Sequence, residues 1–470
     1  MTFWPVFFTD DFSPGPGHSR CMSMLLSDIA AGLAAGTLTA RDHVESCLAA
    51  IDSEDGARAF ITVNDAAARA EADRIDALRA AGATLPPFAG ITLSVKDLFD
   101  ITGEVTLAGS RVLDDAAPAG RDATVVARLR AAGFIIIGRT NMTEFAYSGL
   151  GMNPHYGNPR SPYGRDDGDG RIAGGSSSGS AVSIADDMAA ATIGTDTGGS
   201  TRAPAALCGI VGMKPTARRM PSAGVYPLST SFDAAGPMAA SAECCAILDD
   251  LMTGGDGRAE TGFPLAGLRL ALPRGYLFDE LDQQVATAFD AAIDRLSAAG
   301  ARITDISLDI LEELRPANRP RSIVSAEAHE MHRAMMASRR DGYDPYVAAR
   351  LAAGGDISAA DFIAMKRERM QTCAAVQAVT RPYDALLLPT SPAIPMPIDG
   401  LRGIETLMKA SARVLRNTAL SNYLDRPTIS LPCHAPGAPP VGLSVMGSRG
   451  HDRRLLAIAA GIEDVVKGQA

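Results

Sequence analysis

Two clusters of glycine, serine and threonine carry the residue types that catalysis needs. The first is Gly174-Gly175-Ser176-Ser177-Ser178-Gly179-Ser180. The second is Gly194-Thr195-Asp196-Thr197-Gly198-Gly199-Ser200, which places Ser200 twenty-four residues after Ser176. Glycine lets backbone approach a ligand closely and adopt conformations that other residues resist. Serine hydroxyls at such points act as nucleophiles or proton shuttles. Apolar segments follow both clusters, which argues for a built site and against a spacer. A third element is Lys96, at the end of the alternating run Ile91-Thr92-Leu93-Ser94-Val95-Lys96. A desolvated lysine loses its proton more readily, and the neutral amine is a competent general base. Read alone, Lys96 is better explained as a salt-bridge partner of the nearby Asp97 or Asp100.

Other chemistries fit these residues less well. A phosphate loop needs a lysine after its glycines, and Ser180-Ala181 supplies none. Gly175-Ser176-Ser177-Ser178-Gly179 matches the G-x-S-x-G nucleophile elbow, but that motif requires a strand just before it. Asp169-Gly170-Arg171-Ile172-Ala173 reads as a loop, and the only late histidines for such a triad are His434 and His451. Asp166-Asp167-Gly168-Asp169 lacks the alternate spacing and distal glutamate of a calcium loop. His329 and His332 lie three apart on a helical stretch, with Glu327 and Glu330 the obvious companions; a surface helix explains them better than a metal site. Cys208, within Ala205-Ala206-Leu207-Cys208-Gly209-Ile210, reads as a buried packing residue. No cofactor or metal is expected.

The elements that must position these residues show in the hydrophobic pattern. Ile91, Leu93 and Val95 share one strand face, with Thr92, Ser94 and Lys96 on the other. Phe134-Ile135-Ile136-Ile137-Gly138 is continuously apolar, as in a strand covered on both sides. Further strands are expected at 268–272, 385–388 and 442–446. Helices are expected after the Thr39-x-x-Asp42 capping box, after Asn64 to about Ala81, from about Ser178 to Met188, and over 283–299 and 359–379. Strands alternating with helices indicate an α/β fold with a mixed sheet. With no repeat and no long linker, residues 22–470 are expected to form one domain, preceded by an N-terminal arm over 1–21.

The chain has 470 residues, net charge −10 and no Lys/Arg block, so a nucleic-acid partner is not expected. No run of eighteen apolar residues suggests a membrane span. Seven scattered cysteines without a CxxC motif read as reduced thiols of a cytoplasmic protein. Homodimer formation is compatible with all of this.

Taken together, the lysine and the two clusters resemble the amidase signature family. The resemblance runs through Leu93 to Asp97, Gly138 to Phe145, Gly174 to Ser180, Gly194 to Ala205, Cys208 to Thr216 and Phe232 to Pro237. It is weaker at 384–392 and 440–447. It implies a mixed sheet covered by helices on both faces and a Ser-cisSer-Lys triad. In that triad Ser200 is the nucleophile, Ser176 the bridging serine with a cis peptide, and Lys96 the base. The amides of Thr197, Gly198, Gly199 and Ser200 form the oxyanion hole. Ser177 supports the triad by hydrogen bonding, Asp196 and Arg202 form a structural pair, and Tyr147 lines the substrate pocket or packs in the core.

The resulting expectation is an amidase cutting the C–N bond of a small carboxamide through an acyl-enzyme on Ser200. Two alternatives share the fold. One is the glutamine-hydrolysing subunit of a tRNA-dependent amidotransferase, which commonly has Gln where this chain has Ala203. The other is a carboxybiuret- or imide-type hydrolase working with a small subunit. A non-catalytic member of the fold would lack a triad residue, and all three are present.

Overall fold

One mixed sheet runs through the molecule, and the active-site candidates sit at the ends of its central strands. A computed structural model describes residues 25–259, 262–308, 310–313 and 322–467. The arm expected over 1–21 lies outside the described residues.

The strands are β1 (Phe60–Val63), β2 (Thr92–Lys96), β3 (Ile135–Thr140), β4 (Ala191–Asp196), β5 (Val211–Lys214), β6 (Ala234–Ala239), β7 (Arg269–Arg274), β8 (Arg302–Ser307), β9 (Ala385–Pro389), β10 (Thr428–Pro432) and β11 (Gly442–Met446). Their order is β1-β3-β2-β4-β6-β5-β10-β11-β9-β7-β8. β3, β2 and β4 are mutually parallel, as are β9, β7 and β8, and antiparallel pairings link the two groups. This is the mixed sheet expected from the sequence.

Every residue of β2, β3, β4, β6, β9 and β11 is buried, whereas the edge strands β1 and β8 are largely exposed. Alternate strand residues point to opposite faces. In β9, Leu387 joins the main apolar core while Leu386 and Leu388 join a second cluster with Tyr276 and Met446. Both faces of the sheet are therefore covered, which explains apolar runs without a polar alternation.

Burial of β2 on both sides also changes the meaning of its polar face. Ser94 and Thr192 satisfy each other at 2.7 Å, and Ser183 adds a contact at 2.8 Å. Local signals set several helices as anticipated. Thr39 accepts the Asp42 N–H at the start of Ala40–Ile51. Helices also occupy Asp65–Ala80, Gln283–Ala298 and Ala359–Thr380. Asn64 precedes its helix without capping it, because its side-chain amide reaches Glu104.

Candidate active site

The parallel register of β2 and β4 pairs Val95 with Ile193, so Lys96 and Asp196 emerge at the same edge of the sheet. In α/β sheets the crevice beyond the carboxyl ends of parallel strands is where ligands bind. β4 runs directly into Thr197-Gly198-Gly199-Ser200. The helix Arg202–Cys208 then carries the chain away.

The Gly174–Ser177 segment reaches the same place as an irregular chain. Only isolated bridges at Ile172 and Arg171 precede it, not the strand that a nucleophile elbow requires. Gly174 has φ +75°, a conformation that favours glycine. A Cβ on Gly175 would stand 2.5 Å from the Gly151 nitrogen. The peptide bond between Gly175 and Ser176 is cis. The Ser176 carbonyl accepts the Thr143 N–H at 3.1 Å, and the Ser177 N–H donates to the Ser200 carbonyl at 3.2 Å. These two bonds pin the serine segment between the end of β3 and the loop that carries Ser200.

Lys96 is completely buried. Its Nζ lies 2.7 Å from Ser176 Oγ and 3.0 Å from Thr195 Oγ1. The salt bridge to Asp97 or Asp100 that a lone lysine would favour does not form. Asp97 instead pairs with Arg139 at 2.7 Å, and Asp100 accepts the Thr106 hydroxyl. Burial lowers the Lys96 pKa to about 7, against the opposing pull of the Asp196 and Asp233 charges. The amine is thus poised between its two forms at neutral pH.

Ser200 is 4 % exposed and lines a cavity of about 410 Å³. Among the described residues, no hydrogen bond joins its hydroxyl directly to that of Ser176. Among the described residues the Ser177 hydroxyl makes no hydrogen bond to a triad side chain either: it donates to the Thr195 carbonyl at 3.4 Å, bracing the end of β4.

In the loop over 197–200 the Gly199 amide points elsewhere than expected. Thr197, Gly198 and Ser200 all line the cavity, but the Gly199 N–H donates to Asp196 Oδ1 at 2.8 Å. Asp196 also accepts from the Thr201 N–H and hydroxyl, turning the loop around a buried carboxylate. Gly199 is needed for a different reason: its φ is +135°, and a Cβ there would fall 2.0 Å from Thr418 Oγ1. Of the four residues expected to supply oxyanion amides, Thr197, Gly198 and Ser200 line the cavity, while the Gly199 N–H is engaged by Asp196.

Asp196 and Arg202 pair at 2.9 Å with both side chains buried. Asn422 adds a donor to Asp196 at 2.8 Å. Burial alone would raise the Asp196 carboxyl; the Arg202 guanidinium and Lys214 override it and hold it well below the usual carboxylate range.

Tyr147 lines the cavity, where the Arg350 guanidinium stacks on its ring at 4.0 Å. Arg350 Nη1 donates to the Tyr147 carbonyl at 2.8 Å and the Tyr346 hydroxyl at 3.3 Å. Among the described residues no carboxylate pairs with Arg350. Its helix, Pro345–Ala353, is held at its start by the Asp344 side chain and by Glu144, which accepts the Asp344 N–H at 2.8 Å. Apolar walls come from Leu228, Phe232, Ile323, Met365, Met408 and Leu415. Most of these lie on segments that carry no chemical motif, and sequence reasoning missed them.

The remaining candidates fall away from this site. Cys208 is buried, with its thiol pushed up by burial. His332 is not on a surface helix face as expected. It is fully buried, edge-on to Phe145 at 4.4 Å and bonded to the Tyr343 hydroxyl at 3.1 Å. Of the aromatic neighbours that enclose it, Phe145 and Tyr226 come from distant segments. No group of three or more metal-ligating side chains occurs among the described residues.

The Amidase family model matches residues 42–456, which spans the sheet and every candidate above. The chain belongs to the amidase family. It is a hydrolase of carbon–nitrogen bonds in amides. This amidase is 33 % identical over 449 residues to the 2-amino-5-chloromuconic acid deaminase of Comamonas testosteroni, covering 94 % of this chain and 96 % of that protein. It is 38 % identical over 393 residues to the 1-carboxybiuret hydrolase subunit AtzE of Pseudomonas sp. (strain ADP), covering 80 % and 83 %. A crystal structure of an amidase superposes with a TM-score of 0.85 at 31 % identity, over 94 % of this chain and 99 % of that one. Among the described residues no helix is long and apolar enough to cross a membrane.

Proposed function

We propose that this amidase hydrolyses the amide of a small molecule that carries a carboxylate, through an acyl-enzyme on Ser200. The observation that carries the chemistry is the contact between Lys96 and Ser176. A buried amine with a pKa of about 7 meets a hydroxyl, not a carboxylate, at 2.7 Å.

Neutral Lys96 takes the Ser176 proton as Ser176 takes that of Ser200, and Ser200 Oγ attacks the amide carbon. Charge developing on the carbonyl oxygen is met by the amides of Thr197, Gly198 and Ser200, where each donor is worth ~3–4 kcal/mol in the transition state. Ser176 returns a proton to the leaving nitrogen and is resupplied by Lys96. The C–N bond breaks, and water then attacks the ester through the same relay.

The substrate class rests on Arg350. A guanidinium at the cavity wall with no carboxylate partner among the described residues is suited to bind one from the ligand. The names of two relatives fit this reading, since one acts on an amino-substituted muconic acid and the other on a carboxylated biuret.

A panel of matched small amides with and without a carboxylate tests the proposal, with ammonia release as readout. The acidic amides are expected to have the higher kcat/KM. Equal or faster turnover of the neutral partners would contradict the assignment of substrate class.

A further inference from the structure

Asp233 lies just before β6. The antiparallel register sets Ala234 against Asp196, so Asp233 stands opposite Thr197. Thr197 Oγ1 donates to Asp233 Oδ1 at 2.5 Å. The other carboxylate oxygen accepts the N–H groups of Leu228 and Ser229 at 2.8 and 2.9 Å. One carboxylate thus ties the first residue of the oxyanion loop to the turn over residues 228–233.

That turn is held from the other side as well. Glu327, on the helix Ile323–Arg339, accepts the Ser231 N–H at 3.1 Å and the hydroxyls of Ser229 and Ser231. Arg369, on the helix Ala359–Thr380, donates to the Ser231 carbonyl at 3.2 Å and stacks over Phe232 at 3.9 Å. Lys366 donates to the Ser231 hydroxyl at 3.2 Å. Leu228 and Phe232 form part of the cavity wall, together with Ile323 from the helix that carries Glu327.

We propose that Asp233 is a positioning residue for the reaction: through the Thr197 hydroxyl it fixes the Thr197 amide toward the developing oxyanion, and through the 228–233 turn it links that amide to the wall of the acyl pocket. The inference rests on the reading of Ser200 as nucleophile. Thr197 is the first residue beyond β4, and the glycines that follow it at 198 and 199 leave the chain on that side conformationally soft. Without the side-chain tether its N–H is free to swing out of line, and a misplaced donor contributes little to the transition state. Glu327 acts one step further out, by holding the turn that presents the Leu228 and Ser229 amides to Asp233.

The test compares Asp233→Asn, Thr197→Val, the double variant and Thr197→Ser with the wild type. Each is checked for folding by thermal melting. Two rates are read: phosphonylation by a small fluorophosphonate, located by peptide mass spectrometry, and turnover of an amide substrate. Asp233→Asn and Thr197→Val are each expected to slow phosphonylation and kcat by roughly 10- to 100-fold, the scale of a misplaced oxyanion donor. KM is expected to change less than about threefold, because the tether acts on the transition state. The double variant is expected to be no more than about threefold slower than the worse single variant, since both break one link. Thr197→Ser is expected to recover most of the rate lost in Thr197→Val.

Folded single variants that label within about twofold of the wild type would overturn the inference while leaving Ser200 in place. So would single-variant effects that multiply in the double variant. A wild type that labels elsewhere than Ser200 would overturn the nucleophile reading and the inference with it. If Asp233→Asn fails to fold, the Thr197→Val and Thr197→Ser pair decides by the same rates.

Discussion

Lys96 Nζ sits 2.7 Å from Ser176 Oγ in a fully buried setting, and its other close partner is the Thr195 hydroxyl at 3.0 Å. With neutral hydroxyls as its hydrogen-bond partners among the described residues, the ammonium form lacks a bonded anion there to hold its proton. On the proposed mechanism, burial of the amine beside that hydroxyl lets Lys96 serve as a base near neutral pH.

The pH dependence follows directly. In the proposed mechanism the free amine is the active form, and burial brings its pKa to about 7. The value of kcat/KM is expected to fall as pH drops through about 7 and to level off above it. Lys96→Arg, which stays protonated, is expected to lose roughly 10²–10⁴-fold at all accessible pH values. A pH profile of both proteins over 5.5 to 9 checks this; an acid limb centred near the free carboxylate range, about 4, would point to a different base.

The same residue costs stability. In the unfolded chain a lysine titrates near 10.4, so between about 7 and 10 the unfolded state binds the extra proton and stability rises with pH. Below that window the full penalty for burying the amine is present. Lys96→Met removes the penalty, so its melting temperature relative to the wild type is expected to be highest near pH 6.5 to 7. The difference should shrink steadily toward pH 10. Melting curves across that range are the check, and a difference that is flat with pH would refute the buried, depressed lysine.

Arg202 and Asp196 form a buried pair at 2.9 Å, and Asp196 also accepts the Gly199 and Thr201 amides. Removing one member leaves the other charge uncompensated. Arg202→Ala is expected to lower stability by about 3–5 kcal/mol in urea unfolding, with the m-value unchanged. Activity should fall too, because the loop bearing Ser200 is folded around that carboxylate.

Arg350 gives a substrate-dependent prediction. A charge-assisted hydrogen bond contributes about 1.5–3 kcal/mol, so Arg350→Met is expected to raise KM for an acidic amide roughly 10- to 100-fold. The matched neutral amide should be affected at least about tenfold less, and steady-state kinetics on the two substrates make the comparison.

The catalytic strands and loops were legible in the sequence because their constraints are local. The Ser/Gly runs, the register-defining apolar residues of β2 and the Thr197 to Ser200 loop each demand particular residue types at fixed spacing. The cavity wall was not legible. Ile323, Arg350, Met365 and Met408 belong to helices whose relevance depends on where they dock, more than a hundred residues from Ser200. The fate of Gly199 was hidden for a similar reason: only the three-dimensional turn around Asp196 shows that its N–H is already used. The burial of His332 was not legible because Phe145 and Tyr226, which pack on it together with the nearby Tyr343, lie more than a hundred residues away in the chain.

The central claim is that Ser200, and not a serine of the 176–180 run, carries the acyl group. Trapping the wild type with a small fluorophosphonate or a slow amide substrate, followed by peptide mass spectrometry, locates the adduct. A single adduct on Ser200, absent from a folded and inactive Ser200→Ala variant, is the predicted result. An adduct on Ser176, Ser177 or Ser178, or a Ser200→Ala variant that keeps wild-type turnover, would contradict the account.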